Sequence, residues 1–203
     1  MKLGIFGGAF DPIHLGHLLL AEQCREHCGL DEVWFVPTGQ PAHRSTERLA
    51  PAERRGEMVT AAIGDNPAFR MCTLELERSE TSYTVDTLAE IRRLHPTAEL
   101  FLLMSTEWLV RLPTWRDPER LADLARIVAV NRGETPLPTR DELAAILSPH
   151  VLARVEQLSS PAIGISASDI RRRVRQGQSI RYLVPDAVRI LIARHGLYAS
   201  DVR

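Results

Sequence analysis

Apolar and polar positions alternate in two different rhythms between residues 2 and 132. The runs KLGIF, EVWFVP, FRMCTLEL and ELFLLM predict strands, and a further strand is expected at ARIVAVNR. Between them, LGHLLLAEQCREH, PAERRGEMVTAAI and YTVDTLAEIRRL have the spacing of amphipathic helices. Because the strands are apolar throughout rather than alternating, they require cover on both faces. The pattern therefore predicts an α/β fold with a doubly wound parallel sheet.

The pattern becomes more helical from about residue 140. ASDIRRRVRQG and PDAVRILIARHG each show helical spacing, and Gly177 and Gly196 stand where helices commonly stop. No internal repeat or low-complexity segment interrupts the chain. We therefore expect one domain over residues 1–203, with residues 140–203 forming a mostly helical C-terminal portion.

Composition narrows the possible partners and the compartment. Lys and Arg total 25 against 26 Asp and Glu, so the formal net charge is −1 and no global field favours nucleic acid or an anionic membrane. No apolar stretch approaches the roughly 18 residues that span a bilayer, and glycines interrupt the N-terminus before a signal peptide could form. Three cysteines, without a paired C-x-x-C, argue against a disulfide framework and against a zinc site. We expect a cytoplasmic protein with no resident metal, and homo-oligomerisation stays open.

The segment GIFGGAFDPIHLGHL joins the first predicted strand to the first predicted helix. Ligands bind at such strand ends in open α/β sheets, where Gly7 and Gly8 allow main-chain N–H groups to approach a phosphate. His14 and His17, three residues apart, can donate hydrogen bonds to phosphate oxygens and to a leaving pyrophosphate. The alternative for each residue alone is an ordinary glycine turn or a capping histidine.

Taken together, Gly8-Ala9-Phe10-Asp11-Pro12-x-His14-x-Gly16-His17 resembles the signature of the HxGH nucleotidyltransferases. The Asp-Pro before the first histidine is similar to the nicotinate mononucleotide adenylyltransferases in particular. The resemblance implies a Rossmann-like nucleotidyltransferase fold whose first loop binds ATP through Gly8, Ala9, Phe10, His14 and His17. The loop alone leaves phosphopantetheine adenylyltransferases and cytidylyltransferases open.

A second motif, ISASDIRRRV, places Ser166 and Ser168 ahead of a basic amphipathic helix. Ordinary helix capping explains the serines, and a solvated face explains the arginines after Arg171. The segment also resembles the I-S-x-T-x-x-R motif of the same family, with Ser168 where threonine is commoner. The resemblance implies that Ser166, Ser168 and Arg171 hold the ATP phosphates opposite the first loop.

Three segments between the motifs, PTGQPAHR, SYTVDTL and LPTWRDPERL, could meet along one sheet edge. The segment that contains His43 is interpreted as a surface loop from its composition alone. It also resembles the family's Pro-Pro-His-Lys segment, and this resemblance implies that His43 contacts ATP phosphates. On sequence alone, Trp115 is interpreted as a residue of the hydrophobic core. The resemblance implies instead that it stacks on the acceptor's pyridine ring. The acceptor carboxylate is then expected on main-chain N–H groups at Val85, after Thr84, and at Arg116.

One segment departs from the family pattern. Ser105 and Glu107 stand where these adenylyltransferases usually carry Gly-x-Asp, the Asp being expected near the adenosine ribose. Glu107 retains a carboxylate but needs more space, and Ser105 adds a Cβ where backbone and ligand approach closely. The departure bears on ATP affinity more than on the class of reaction.

The resemblance implies transfer of the adenylyl group of ATP to nicotinic acid mononucleotide, giving nicotinic acid adenine dinucleotide and pyrophosphate. His14, His17 and Arg171 are the expected catalytic residues, and Mg²⁺ is expected to arrive with ATP. Alternatives are adenylyl transfer to nicotinamide mononucleotide or phosphopantetheine, or a nucleotide-binding regulator weakened by Ser105 and Glu107. A dehydrogenase is disfavoured because the loop lacks G-x-G-x-x-G.

Overall fold

A computed structural model describes residues 1–41, 49–131, 136–160 and 164–199. Six parallel strands form the central sheet, and two further short strands pair separately. In chain order the strands are β1 (Lys2–Gly8), β2 (Glu32–Pro37), β3 (Gln40–Pro41), β4 (Phe69–Met71), β5 (Thr81–Ser82), β6 (Glu99–Ser105), β7 (Arg126–Val130) and β8 (Val155–Leu158).

The order of strands across the main sheet is β4-β2-β1-β6-β7-β8. The chain runs outward from β1 through β2 to β4, then returns to the other side of β1 and runs outward again from β6. The order reverses between β1 and β6, and in doubly wound sheets ligands bind outside the carboxyl ends of the strands at this switch point. Gly8 ends β1 there and Ser105 ends β6.

Helices cover both faces of the sheet, as the apolar strands predict. They are α1 (Leu15–Cys28), α2 (Ala52–Ile63), α3 (Thr84–Leu94), α4 (Thr106–Arg111), α5 (Pro118–Leu124), α6 (Arg140–Ala144), α7 (Pro149–Leu152), α8 (Ala167–Arg175) and α9 (Asp186–Arg194), with a 3₁₀ turn at Leu112–Thr114. Gly177 and Gly196 have φ values of +66° and +58° after α8 and α9, so the two predicted stops are confirmed.

Alternate residues of the central strands enter two separate cores. In β6, Phe101 and Leu103 pack with α1, α2, α8 and α9 on one face. Their neighbours Leu100, Leu102 and Met104 pack with α3, α4 and α5 on the other face. Burial on both faces confirms the doubly wound arrangement predicted from the apolar runs.

Two strands differ from the sequence prediction. The strand expected over FRMCTLEL is limited to Phe69–Met71, because the chain turns after Cys72 and buries the Glu75 side chain instead of continuing along β2. The edge strand β8 was not predicted, because its VEQL sequence is half polar and only half-buried. No helix within the described ranges is long and apolar enough to cross a bilayer.

Candidate active site

The first loop leaves the sheet at the switch point and is held close to its neighbours. The Gly8 carbonyl accepts the Thr38 N–H at 2.9 Å, which ties the ends of β1 and β2 together. Phe10 follows with φ of +47° and a buried ring that contacts Phe6 and Phe35. A Cβ on Gly8 would approach the Phe10 ring to 3.2 Å. The loop is therefore packed against its own aromatic side chain.

His14 and His17 form a stacked pair at the start of α1. Their ring centroids are 3.7 Å apart with an interplanar angle of 23°. The His14 N–H donates to Nδ1 of His17 at 3.2 Å, so a neutral His17 carries its hydrogen on Nε2. His14 is buried, whereas His17 is half-buried and also contacts the Phe10 ring. Of the two, His17 presents the more accessible imidazole.

Gly16 lies beneath the His14 ring and brings the two sequence motifs together. A Cβ at residue 16 would lie 3.1 Å from Nδ1 of His14, closer than side chains normally approach. The same position lies 3.8 Å from Cβ of Ile165, which precedes the second motif. The glycine of the HxGH string therefore leaves room for the ring of the histidine before it.

The second motif begins α8 and contacts the first loop directly. Ser166 caps the helix by accepting the Asp169 N–H at 3.2 Å, and the Ser166 and Ser168 hydroxyl oxygens are 3.2 Å apart. Nη1 of Arg171 donates to the main-chain carbonyl of Asp11 at 2.7 Å. The structure therefore brings Arg171 to the loop that carries both histidines.

The arginines after Arg171 have a different environment. Arg172 and Arg173 both pair with Asp169 on the outer face of α8, the Arg173 contact at 2.9 Å. Hydrogen bonds from Arg172 and then Arg173 lower the pKa of the Asp169 carboxyl. These two arginines form the solvated face that the sequence suggested, while Arg171 points towards the sheet edge.

A buried arginine that the sequence analysis did not select supports the first loop. Arg55, on α2, donates to the carbonyls of Ala9 at 2.8 Å, Ala50 at 3.1 Å and Gly39 at 3.3 Å. Burial lowers the pKa of its guanidinium, and the nearby Asp11 carboxylate opposes that shift. Arg55 joins the loops after β1 and β2 to the start of α2.

The loop after β2 packs against a second buried ionisable residue, Glu75. A Cβ on Gly39 would lie 2.1 Å from the carbonyl oxygen of Glu75, so only glycine fits there. Glu75 accepts the Thr87 hydroxyl at 2.8 Å, and Arg78 donates to the same hydroxyl at 2.8 Å. Burial raises the pKa of the Glu75 carboxyl. The hydrogen bonds among Glu75, Arg78 and Thr87 hold the segment between β4 and β5 against α3.

The three segments expected on the acceptor side come together. Gln40 and Pro41 pair with Thr81 and Ser82, immediately before α3 begins at Thr84. Nη1 of Arg116 lies 3.3 Å from Oδ2 of Asp86, and its guanidinium lies 4.7 Å from the centroid of the Tyr83 ring. The first turn of α3, which contains Thr84 and the buried Val85, therefore adjoins Arg116.

Trp115 and Trp108 form an aromatic corner beside this cluster. Their centroids are 6.0 Å apart at 63°, and Trp115 packs on the core that covers α3. Its indole Nε1 is buried and has no hydrogen-bond partner in the described residues. Such a donor favours a polar ligand or water beside it. The core interpretation of Trp115 and the ring-stacking interpretation are thus compatible.

Ser105 ends β6 and precedes α4, at the other side of the switch point. Its φ is −80°, a conformation open to any residue, so the missing family glycine causes no backbone strain here. Its hydroxyl is buried without a hydrogen-bond partner among the described residues. Glu107 is exposed in the first turn of α4. Both lie at the strand end where the family motif would place them.

Two further expectations concern His43 and a metal site. His43 lies outside the described residues. No cluster of three or more His, Cys, Asp or Glu side chains suited to a metal ion occurs in the described part of the chain.

Comparisons with known proteins agree on one family. A sequence model described as cytidylyltransferase-like matches residues 5–173, which include both motifs. A Thermus thermophilus protein named "Probable nicotinate-nucleotide adenylyltransferase" is 46% identical over 203 residues, covering 98% of this chain and 100% of its own length. A Clavibacter sepedonicus protein of the same name is 43% identical over 202 residues, covering 100% and 96% respectively. The chain belongs to the nicotinate-nucleotide adenylyltransferase family.

The fold agrees with solved structures in this family. The Plasmodium falciparum nicotinic acid mononucleotide adenylyltransferase complexed with NaAD superposes with a TM-score of 0.79 at 20% identity, covering 97% of each chain. A second structure of that protein, complexed with APC, gives a TM-score of 0.76 at 19% identity, covering 97% of this chain and 96% of that one. The doubly wound sheet with a helical C-terminal region is thus an adenylyltransferase fold.

Two residues that support the candidate site were missed from sequence. Arg55 shares helical spacing with the buried Met58, Val59 and Ala62, so its place on the inner face of α2 was readable from that pattern. Tyr198 donates to Oδ1 of Asp11 at 2.6 Å from 187 residues away. No local pattern signals that contact.

Proposed function

We propose that this protein transfers the adenylyl group of ATP to nicotinic acid mononucleotide, releasing pyrophosphate and forming nicotinic acid adenine dinucleotide. The observation that carries the proposal is the contact between Arg171 of the second motif and Asp11 of the first loop at the sheet's switch point. It joins the two phosphate-binding motifs into one site. Full-length relatives at 46% and 43% identity carry the name of this activity.

The reaction needs alignment more than covalent chemistry. A 5′-phosphate oxygen of the acceptor attacks the α-phosphorus of ATP, the bond to the bridging oxygen breaks, and pyrophosphate leaves in line. His17 Nε2–H is a donor for charge that develops on the phosphates, and the stacked His14 orients the His17 ring. Arg171, Ser166 and Ser168 supply further donors from the opposite side.

ATP is the substrate as its Mg²⁺ complex, the ion being bound chiefly by phosphate oxygens and water. Gly8, Ala9 and Phe10 form the loop over which the triphosphate passes, and His43 is a further candidate contact. Ser105 and Glu107 lie at the carboxyl end of β6, the side of the switch point that we assign to the adenosine. The φ of Ser105, −80°, is open to any residue. This unstrained backbone supports retention of ATP binding although serine replaces the glycine that is usual in the family.

The acceptor occupies the neighbouring side, between the start of α3 and Trp115. Trp115 stacks on the pyridine ring, and the main-chain N–H groups of Val85 and Arg116 donate hydrogen bonds to the ring carboxylate. The first-turn N–H groups of α3 favour an anion, and Arg116 beside them balances the charge of Asp86 in the same turn. Donors facing the ring substituent favour a carboxylate over a carboxamide, whose NH₂ would oppose them.

The test is release of pyrophosphate from Mg²⁺-ATP in the presence of nicotinic acid mononucleotide, nicotinamide mononucleotide or phosphopantetheine, with the product identified by mass. We expect the acid mononucleotide to be the preferred acceptor by kcat/KM. Preference for the amide would retain the chemistry and refute the roles of Val85 and Arg116. Turnover with phosphopantetheine alone, or with no acceptor, would refute the proposed function.

A further inference from the structure

Two opposite charges lie at the start of α3, beside the main-chain groups that are proposed to bind the acceptor carboxylate. Asp86 belongs to the first turn of the helix, and Arg116 follows Trp115 in the neighbouring segment. Nη1 of Arg116 donates to Oδ2 of Asp86 at 3.3 Å. The two side chains are 58% and 52% exposed respectively, so their pairing contributes little to the stability of the fold. Their charges bear on what binds beside them.

The start of α3 offers main-chain donors that the helix itself does not use. The Tyr83 carbonyl accepts the N–H groups of Asp86 and Thr87 at 3.1 and 3.2 Å, and Tyr83 supplies no side-chain cap. The N–H groups of Thr84 and Val85 come earlier in the first turn, where a helix has no internal acceptor for them. Such donors, at the positive end of the helix dipole, favour an anion.

Two buried polar groups in the segments that meet here also lack a partner. Ser82 is 6% exposed, and its hydroxyl makes no hydrogen bond within the described ranges. The same holds for the buried Nε1 of Trp115. Native proteins seldom leave such groups unpaired unless water or a ligand reaches them. The surroundings of this helix end therefore have polar capacity for a ligand.

An acceptor carboxylate at this helix end would meet a second carboxylate. Asp86 directly follows Val85, so its negative charge and that of the acceptor would share one turn of helix, and like charges placed so closely repel. The guanidinium of Arg116 opposes the charge of Asp86. It also lies over the Tyr83 ring, 4.7 Å from the ring centroid, which helps to hold it in place. A carboxamide acceptor is uncharged at this group and needs no such compensation.

We propose that the side chain of Arg116 is a specificity-determining residue: by neutralising Asp86, it allows the start of α3 to accept a carboxylate in preference to a carboxamide. The role rests on the proposed function and extends it, because there only the main-chain N–H of Arg116 contacts the acceptor. The side chain acts through Asp86 and not on the reacting phosphates. It therefore affects the choice of acceptor and leaves ATP binding unchanged.

The test measures kcat/KM for nicotinic acid mononucleotide and for nicotinamide mononucleotide, and the ratio of the two values defines the selectivity. We expect Arg116→Met, which retains a long side chain without its charge, to lower the selectivity about fivefold to tenfold. Arg116→Lys retains the positive charge and should stay within about twofold of the wild type. Arg111→Met is the matched control, because Arg111 is a nearby exposed cation that lies over the Trp108 ring.

Removing the charge of Asp86 gives the decisive comparison. If Arg116 acts by neutralising Asp86, Asp86→Asn added to Arg116→Met should return the selectivity to within about twofold of the wild type. Salt gives an independent measure. The selectivity of Arg116→Met should rise between about 0.1 M and 1 M ionic strength, because the Debye length shortens to about 3 Å and screens Asp86. The melting temperatures of these variants should match the wild type, since both residues are exposed.

The outcomes separate this inference from the proposed function. Unchanged selectivity of Arg116→Met, or an equal loss of kcat/KM with both acceptors, would overturn the role of the side chain and leave the proposed function intact. Failure of Asp86→Asn to restore selectivity would overturn it as well, because the guanidinium would then act on the acceptor directly. Wild-type protein that turns over neither mononucleotide would refute the proposed function and this inference together.

Discussion

At the scale of single residues, the two histidines of the first loop differ in burial, and we propose a different role for each. His14 is enclosed between Gly16 and the ring of His17, and we propose that it orients its neighbour. His17 has its Nδ1 occupied by the His14 N–H, which directs its remaining ring nitrogen outward as a donor. We therefore propose that the charge-stabilising role in the transition state belongs to His17.

We expect His17→Ala to lower kcat on the order of 100-fold, as loss of one preorganised donor typically does. ATP affinity should fall much less, because Arg171 and the serines remain. His27→Ala is the matched control, since His27 lies on the same helix and pairs with Glu156 at the surface. Steady-state kinetics with calorimetric ATP binding checks this. Near-native turnover of His17→Ala would remove His17 from the catalytic residues.

Glu75 should make stability depend on pH in a direction unusual for a carboxylate. Its folded pKa is raised above the ordinary value of 4.5 by burial, so the folded state holds the proton more tightly than the unfolded state. Stability from this group is present at low pH and is lost as pH rises from 4.5 through the raised pKa.

Thermal unfolding between pH 4.5 and 7.5 measures this effect. Glu75→Gln should show a smaller loss of melting temperature with rising pH than the wild type, because its amide oxygen still accepts the Thr87 hydroxyl but never ionises. Glu80→Gln, at an exposed position of the same segment, should follow the wild type. Identical pH profiles for wild type and Glu75→Gln would contradict the prediction.

At the scale of elements, Arg55 joins α2 to the loops after β1 and β2. It is 1% exposed and donates to a carbonyl in each of the three segments. Removing it leaves three buried acceptors and the Asp11 charge without this partner. Arg54, its neighbour in sequence, instead pairs with Glu57 at the surface with 37% of its side chain exposed.

We expect Arg55→Met to lower the free energy of unfolding by about 3 to 5 kcal/mol, because three buried carbonyls lose their donor at roughly 1 to 3 kcal/mol each. Arg54→Met should cost less than about 1 kcal/mol. Urea unfolding of both variants gives the comparison directly. Equal losses would mean that the contacts of Arg55 do not carry the stability assigned to them.

Elements whose sequences are governed by local rules were predictable, and contacts made across the chain were not. The limits of β2 follow from its apolar run. The ends of α8 and α9 follow from the glycines after them, which adopt positive φ. The edge strand β8 was missed because half of its residues are polar. The spacing of His14 and His17 placed them one turn apart, but their stacking depends on side-chain packing that Gly16 permits.

The two motifs and the residues of the candidate site could be predicted from the sequence. The long-range contacts that hold those residues in place could not. Arg171 could be selected from its motif, whereas its donation to Asp11 depends on where α8 packs against the sheet. Tyr198 follows α9 outside any periodic pattern and reaches Asp11 from a turn. Long-range contacts of this kind are fixed by the complete fold, not by neighbouring residues.

At the scale of the whole molecule, the proposed site joins both halves of the sheet. β1, β2 and β4 lie on one side of the switch point and β6, β7 and β8 on the other. The proposed triphosphate contacts come from β1, α1 and α8, while Ser105 and Glu107 follow β6. A ligand held by all of these elements should stabilise the fold as a unit.

We expect Mg²⁺-ATP at 100 times its Kd to add about 2.7 kcal/mol to the stability of the wild type. Adenosine, which lacks the phosphates held by the two motifs, should add much less at the same concentration. Thermal unfolding with each ligand measures the difference. Equal shifts with ATP and adenosine would argue that the motifs do not bind the phosphates.

The long separation between Asp11 and Tyr198 also sets an order of events during translation. Sheet strands as far as β6 leave the ribosome before Arg171, Leu183 and Tyr198 have been made, yet all three contact the segment from Asp11 to Leu15. A nascent chain can therefore begin its apolar core long before its nucleotide site has its final contacts. Catalytic competence should appear abruptly, once the residues through Tyr198 have been released and docked.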